Sequence, residues 1–155
     1  VLCKAGLSSD ILDRPPFSLS GGEQRRLAIA ILLTQKPRLI LLDEPDAGLD
    51  AEGLFFLTDV LRKMKENGMG LLIASHNGDF LHQIVDEYLI LHQGKLILRA
   101  NPEQMVEQAG LIEQLGVKLP TILSLTVQFR RKGIMLPAGL KNVLEFVDAL
   151  RSIKL

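Results

Sequence analysis

The sequence predicts an α/β fold in which helices flank a parallel sheet, followed by a small helical C-terminal appendage. Two short, continuous apolar runs, 39–42 and 70–74, have the length and composition of strands buried on both faces. Helical patterns precede, separate and follow these runs, and such alternation is typical of a parallel sheet. The pattern becomes purely helical after Ala100. We therefore expect two domains, at residues 1–100 and 101–155.

The individual elements follow from local signals. Ser20–Glu23 has the form of a capping box, so we expect a helix from about Glu23 to Gln35, before Pro37. The next helix spans about Ala51 to Glu66, because its leucines and methionine recur at a spacing that forms one apolar stripe. The remaining predicted elements are a helix over 79–85, a hairpin of 88–92 and 95–98, and appendage helices over 101–110, 120–133 and 140–150.

The composition limits the possible functions. The chain has 18 basic and 18 acidic residues and is 47% hydrophobic, which fits a globular domain. Balanced charge gives no footprint for general nucleic-acid binding, so we expect no nucleic-acid partner. Cys3 is the only cysteine, which excludes an internal disulfide. No apolar run approaches the ~18 residues of a spanning helix, and we expect a soluble intracellular protein.

Two adjacent carboxylates, Asp43 and Glu44, end the first predicted strand in the segment LLDEP at 41–45. Open α/β sheets bind ligands outside the carboxyl ends of their strands. An ionised pair there is costly unless a cation or hydrogen bonds compensate, and Mg²⁺ takes one or two carboxylates together with phosphate oxygens. A solvated Asp-Glu pair in an ordinary turn explains the dipeptide equally well when it is taken alone.

Ser20, Gly21 and Gly22 stand at a predicted helix start. Two glycines let a phosphate approach backbone amides at the positive end of the helix dipole. An ordinary N-cap with a flexible entry explains the segment more simply when it is taken alone.

His76 follows the second predicted strand, so it also lies at the ligand edge of the sheet and can donate to a phosphate oxygen. A lone histidine is more often a structural hydrogen bonder. Asp50 stands where the next helix begins, and helix capping alone explains an aspartate there. His82 and His92 have no such placement, and we assign them no role.

The order of these segments adds information that no single one carries. LSGGEQ at 19–24, LLDEP at 41–45, AGLD at 47–50 and His76 resemble the signature, Walker B, D-loop and H-loop of ATP-binding-cassette (ABC) proteins. The resemblance covers about Leu7 to Ala100 and implies a partial P-loop NTPase fold. The appendage is more loosely similar to that of energy-coupling-factor, cobalt- and vitamin-type importer ATPases, at 119–120, 129–133 and 136–137.

The sequence departs from the family pattern in several places. Glu23 stands where glutamine is usual, Asp46 where threonine is usual, Ala51 where proline is usual and Asn77 where aspartate is usual. None of these changes removes a group with a proposed chemical role. The larger departure is that the 155 residues contain no Gly-x-x-x-x-Gly-Lys-Ser/Thr phosphate-binding loop and no Q-loop region. The chain therefore resembles a cassette cut between its Q-loop and its signature.

The resemblance implies a role for each matched segment. In this family two cassettes face each other head to tail, and each ATP lies between the P-loop of one subunit and the signature of the other. The signature would contact the nucleotide held by the opposite subunit. By resemblance, the binding residues are Leu19, Ser20, Gly21, Gly22 and Glu23, with Asp50 reaching across the dimer. Asp43 would hold Mg²⁺, Glu44 would act as general base, and His76 would contact the γ-phosphate.

The implied function is that of an ATP-binding importer subunit, which uses ATP and Mg²⁺ to drive uptake of a small solute such as a metal ion or vitamin. Its partners would be a second ABC ATPase subunit and an integral membrane transport subunit, which places it peripherally on the cytoplasmic face of the membrane. We expect the isolated chain to be inactive because the P-loop is absent.

Two alternatives belong to other classes. One is a regulatory or interaction half-cassette without its own ATPase activity. The other is a DNA-repair or chromosome-type ABC ATPase, which shares the Ser-Gly-Gly-Glu signature. Proteins of that type insert long coiled coils, and no sustained heptads occur in this sequence.

Overall fold

The computed structural model describes residues 7–35 and 37–153, so Cys3 lies outside the described residues. The chain divides into two compact units, one ending at His76 and the other beginning at Asn77. Among the described residues, no helix is both long and apolar enough to cross a lipid bilayer.

The first unit contains the predicted alternation of helices and strands. Its elements are two 3₁₀ turns, Ser9–Asp13 and Pro16–Ser18, followed by α1 (Gly21–Gln35), β1 (Leu39–Asp43), α2 (Ala51–Glu66) and β2 (Gly70–Ala74). The predicted bounds of α2 and β2 are confirmed at both ends. Helix α1 starts two residues before the predicted start, because the capping residue is Ser20 and the two glycines already belong to the helix.

Strands β1 and β2 pair in parallel, with Leu39 opposite Gly70 and Asp43 opposite Ala74. Helix α2 is the connection between them. Its inward face consists of the buried residues Leu57, Thr58, Val60, Leu61 and Met64. The predicted parallel pair is thus confirmed, and it brings the carboxyl ends of the two strands to one edge.

The prediction that both strands are buried on both faces is wrong for this chain. Leu41 is 69% exposed, Leu39 57% and Leu72 47%, whereas Ile40 is buried. Alternate residues of a strand point to opposite faces, and a parallel sheet is buried on both only when helices cover both. Within the described residues, alternate apolar side chains of the sheet remain in contact with solvent.

The second unit combines a hairpin with five helices. Its elements are α3 (Gly78–Ile84), β3 (Tyr88–His92), β4 (Lys95–Ala100), α4 (Pro102–Glu107), α5 (Ala109–Gln114), α6 (Thr121–Arg131) and α7 (Val143–Ser152). The predicted hairpin is confirmed: β3 and β4 are antiparallel, and both turn residues, Gln93 and Gly94, have positive φ. The single helix predicted over 101–110 is instead two helices, which meet at Gln108.

One core joins the hairpin to the appendage helices. Its fully buried members include Ala100, Ile112 and Leu123. The division of the chain at His76 therefore places the hairpin with the helices, earlier than the composition change after Ala100. The predicted division into domains 1–100 and 101–155 stays a prediction.

His82, to which the sequence assigned no role, is a buried structural residue of this second unit. Its Nε2 lies 2.7 Å from the Leu140 carbonyl oxygen, and its Nδ1 lies 2.6 Å from the Tyr88 hydroxyl. A carbonyl only accepts, so Nε2 carries the proton and Nδ1 accepts from the tyrosine. Burial lowers the pKa of His82, and burial also raises the pKa of Tyr88.

The core of the first unit yields a stability prediction. Leu61→Ala removes a fully buried side chain of α2, whereas Phe55→Ala on the same helix removes an exposed one. We expect Leu61→Ala to lower the free energy of unfolding by about 2–5 kcal/mol. Phe55→Ala should change it by less than about 1 kcal/mol. Urea unfolding checks both values, and equal effects of the two variants would contradict this packing.

His82 yields a prediction on pH dependence. The folded-state pKa of His82 lies below its ordinary value of 6.5. As the pH falls below 6.5, His82 therefore binds a proton in the unfolded chain before it binds one in the folded chain. The free energy of unfolding should therefore fall with decreasing pH, by up to about 1.4 kcal/mol per pH unit from this group. Urea unfolding of wild type and His82→Gln at pH 7.5 and 5.5 tests this. The variant should show the weaker pH dependence, and an unchanged dependence would refute the assignment.

Candidate functional site

The carboxyl ends of β1 and β2 bring two predicted catalytic residues together. Glu44 follows β1, and its amide donates to the Ala74 carbonyl oxygen at 2.8 Å, which extends the strand pairing by one step. His76 follows β2 after Ser75, and its Nε2 lies 3.3 Å from Glu44 Oε1. An imidazole and a carboxylate from separate strands thus meet at the edge where open α/β sheets bind ligands.

This pair is open to solvent. The His76 side chain is 97% exposed and that of Glu44 38%. An exposed ion pair contributes about 0–1 kcal/mol, so the contact does not fix its own geometry. The backbone that carries the two residues must set their positions. Both groups are accessible to a ligand that arrives from outside the chain.

Glu44 has a backbone φ of +44°, in the left-handed region that favours glycine. A side chain in this region costs about 1–2 kcal/mol because Cβ approaches the following carbonyl. Such conformations persist only where the surroundings enforce them, and they occur often at functional sites. Here the backbone leaves β1 in a turn, in which the Ala47 amide donates to the Glu44 carbonyl oxygen at 3.2 Å.

Asp43, the predicted metal ligand, is the last residue of β1 and is exposed beside Glu44. The described residues contain no group of three His, Cys, Asp or Glu side chains that could hold a metal ion. Mg²⁺ does not need such a cage, because it keeps several waters and binds one or two carboxylates together with substrate phosphates. The oxygen donors of Asp43 and Glu44 therefore fit a magnesium ion that arrives with a nucleotide.

The predicted signature residues lie in a second place, a cleft of about 800 Å³ between the start of α1 and the start of α2. Ser20, Gly21 and Gly22 line one wall, and Asp50 belongs to the other. The residues that line this cleft do not include Asp43, Glu44 or His76. The structure thus brings the predicted residues together in two groups.

The capping box predicted at the start of α1 is confirmed. The Ser20 amide donates to Glu23 Oε2 at 2.8 Å, and the Glu23 amide donates to Ser20 Oγ at 3.3 Å. The Ser20 backbone amide is the main cause of a lowered pKa at Glu23. Glu23 thus caps α1. Asp50 caps α2 in a similar way, because its side chain accepts from the Gly53 amide at 2.8 Å.

Neither signature glycine is required by the fold itself. A Cβ on Gly21 would meet nothing within 4 Å, and one on Gly22 would meet only the Arg26 guanidinium at 3.7 Å, an ordinary contact. Neither residue has positive φ. Neither close packing nor a left-handed backbone conformation therefore requires glycine at these two positions. The missing side chains instead leave the helix N-terminus open to a group that approaches it closely.

Leu19 differs from its neighbours in the signature. Its side chain is buried with Leu7, Ile11 and Ala30 and does not line the cleft. Its carbonyl oxygen accepts from Gln24 Nε2 at 3.0 Å. Leu19 thus anchors the segment in the core, and its predicted part in nucleotide binding stays a prediction.

Two features of the site were not assigned from sequence. The Arg26 guanidinium lies over the Phe56 ring, 5.7 Å from its centroid, and connects the walls of the cleft. The Ser75 hydroxyl donates to Asp46 Oδ1 at 2.7 Å, which connects the residues that follow β1 and β2. The departure of Asp46 from the family pattern was the available signal for the second feature.

Comparison with known proteins gives the class of this fold. The family model described as ABC transporter matches residues 2–47. The chain is therefore similar to ABC transporter ATPase domains.

Curated relatives of this chain include proteins named energy-coupling factor transporter ATP-binding protein EcfA2. The protein from Caldanaerobacter subterraneus subsp. tengcongensis is 35% identical over 90% of this chain and 49% of its own length. That of Symbiobacterium thermophilum is 32% identical over 97% of this chain and 52% of its own length. The chain thus spans about half the length of the curated relatives it matches.

Solved structures agree with this assignment. The cbiO1 protein from Clostridium perfringens, described as part of the ABC transporter complex cbiONQ, has a TM-score of 0.59 at 33% identity, over 80% of this chain and 49% of that one. A dimeric ATP-binding cassette bound to ADP and phosphate has a TM-score of 0.58 at 28% identity, over 64% and 43%. These likenesses confirm the predicted fold class.

The positive φ of Glu44 yields a prediction. Glycine tolerates this conformation and alanine does not, so Glu44→Gly should be more stable to urea than Glu44→Ala by about 1 kcal/mol. At Thr58, in the interior of α2, the order should reverse, with Thr58→Gly less stable than Thr58→Ala. Equal stability of the two Glu44 variants would contradict the left-handed geometry.

Proposed function

We propose that this chain supplies the signature, Walker B, D-loop and H-loop residues of an ABC ATPase subunit that hydrolyses ATP with Mg²⁺. The observation that carries the proposal is the 3.3 Å contact between Glu44 and His76 at the carboxyl edge of two parallel strands. The similarity to energy-coupling factor transporter ATP-binding proteins supports a role in solute import. The solute is a small one, such as a metal ion or vitamin.

The residues of this edge suit phosphoryl transfer to water. The Glu44 carboxylate accepts a proton from the attacking water and orients it, as a general base in hydrogen-bond reach must do. The His76 imidazole, exposed beside it, donates to an oxygen of the terminal phosphate. Asp43 would offer oxygen ligands to Mg²⁺, which when bound would neutralise charge on the phosphates.

The signature residues act on a second nucleotide. Ser20, Gly21 and Gly22 line a cleft separate from the catalytic pair, which suits contact with an ATP held by the P-loop of another subunit. The amides at the start of α1 and the helix dipole attract the phosphate, and the absent side chains let it approach. The 155 residues contain no P-loop, and we expect them to show no appreciable ATPase activity on their own.

The partners follow from the same arrangement. One is a second ABC ATPase subunit, identical or different, and another is an integral membrane transport subunit that holds the assembly at the cytoplasmic face of the membrane. The exposed apolar residues of the sheet, among them Leu39, Leu41 and Leu72, favour association over an isolated monomer.

Substitution of the general base tests the catalytic proposal. In a cassette dimer whose subunits join this sequence to a preceding P-loop segment, Glu44→Gln should lower ATP turnover by about 10²–10⁴-fold, because it removes the proton acceptor while keeping the shape of the side chain. Mg²⁺-dependent phosphate release measures the effect. Asp59→Asn, an exposed carboxylate on α2 paired with Lys63, is the matched control and should retain turnover.

Three outcomes would contradict the proposal. Turnover of Glu44→Gln close to that of wild type would overturn the assignment of Glu44 as the general base. Mg²⁺-dependent hydrolysis by the 155-residue chain alone, abolished by the same substitution, would overturn the requirement for an external P-loop. If wild type shows no hydrolysis in any assembly, the regulatory half-cassette is the better description.

The open space above the signature glycines gives a second test. Gly21→Ala should leave the free energy of unfolding unchanged or raise it, since a Cβ there meets nothing within 4 Å. It should nevertheless lower ATP turnover of the assembly, because the methyl group obstructs the phosphate. Gly110→Ala, in equally open surroundings on α5, is the matched control and should affect neither measurement adversely. Full turnover of Gly21→Ala would show that no ligand approaches this helix closely.

A further inference from the structure

A side-chain hydrogen bond joins the two segments that carry the catalytic pair. Asp46 stands two residues after Glu44, and Ser75 immediately precedes His76. Ser75 Oγ donates to Asp46 Oδ1 at 2.7 Å in a partly buried position. The bond therefore ties the turn after β1 to the end of β2, just beyond the last paired residues of the two strands.

The catalytic pair depends on such a tie. The Glu44–His76 contact is too exposed to fix its own geometry, and Glu44 holds a left-handed backbone conformation that its surroundings must enforce. The amide of Glu44 is already bonded to the carbonyl of Ala74 at 2.8 Å. The Asp46–Ser75 bond restrains the same two segments at a second point, two residues after Glu44 and one residue before His76.

Aspartate suits this task. The carboxylate only accepts, so the single hydroxyl hydrogen of Ser75 points to Asp46, and a charge-assisted bond of this kind is shorter and stronger than one between neutral groups. The turn is closed further by the Leu49 amide, which donates to the Asp46 carbonyl oxygen at 3.2 Å. Asp46 thus fixes the turn through its backbone and links it to β2 through its side chain.

We propose that Asp46 is a positioning residue, which acts through Ser75 to hold Glu44 and His76 at one edge in the geometry that hydrolysis requires. The effect of Asp46 on catalysis rests on the proposed ATPase function. The effect of Asp46 on the backbone of Glu44 does not. Asp46 itself does not contact the substrate in this account.

The structural part is tested on the 155-residue chain. Asp46→Ala or Ser75→Ala should speed hydrogen exchange of the Glu44 amide about tenfold, because loss of the bond lets this edge open more often. Asp46→Asn keeps an acceptor and Ser75→Thr keeps the hydroxyl, so both should restore slow exchange. Asp59→Ala on α2 is the matched control. Unchanged exchange at Glu44 in both alanine variants would overturn the proposal.

The catalytic part is tested in a cassette dimer whose subunits join this sequence to a preceding P-loop segment. Asp46→Ala and Ser75→Ala should each lower kcat about tenfold with KM for ATP nearly unchanged, and the double variant should be no slower than either single one. Additive losses, or changes in KM alone, would overturn the positioning role. If wild type itself does not hydrolyse ATP, the proposed function fails, and the exchange measurement still decides whether Asp46 restrains Glu44.

Discussion

The parallel pairing of β1 with β2 is the constraint on which the site depends. Because Asp43 lies opposite Ala74, the residues that follow the two strands emerge at the same edge, and Glu44 and His76 meet there. Both side chains are too exposed for packing around them to hold the contact in place. The sheet therefore does the positioning, and the exposed side chains remain free to act on a ligand.

Around that edge, the first unit keeps conformations and spaces that its own stability does not require. Glu44 adopts a left-handed backbone conformation, and the glycines at the start of α1 leave open space where alanine would fit. A chain selected for stability alone would avoid both. Together they support the proposal that the edge and the cleft bind a phosphate and its cation.

The elements of the fold could be predicted because their signals are local. The apolar stripe of α2, the capping box at Ser20 and the turn at Gln93–Gly94 each act within a few residues, and each is found in the structure. The exposure of Leu41 could not be predicted in this way. A strand with apolar residues on both faces indicates that both faces are to be buried, but it does not indicate which element buries them. The break at Gln108 and the burial of His82 depend on tertiary packing.

The candidate site was predictable in part for the same reason. The order of the four motifs indicates which residues matter, and the strand pattern places Glu44 and His76 at one edge. The Asp46–Ser75 bond depends on the register of two strands and could not be derived from spacing. The buried position of Leu19 shows the opposite case, in which a motif residue serves the core.

The most direct test of the account is a structure of the ATP-bound assembly that contains this chain with Glu44→Gln, which slows turnover. We predict a terminal phosphate oxygen within hydrogen-bond distance of His76, roughly 2.7–3.2 Å, and a water between that phosphate and residue 44. A nucleotide whose terminal phosphate lies far from both residues would contradict the assignment of this edge as the catalytic site.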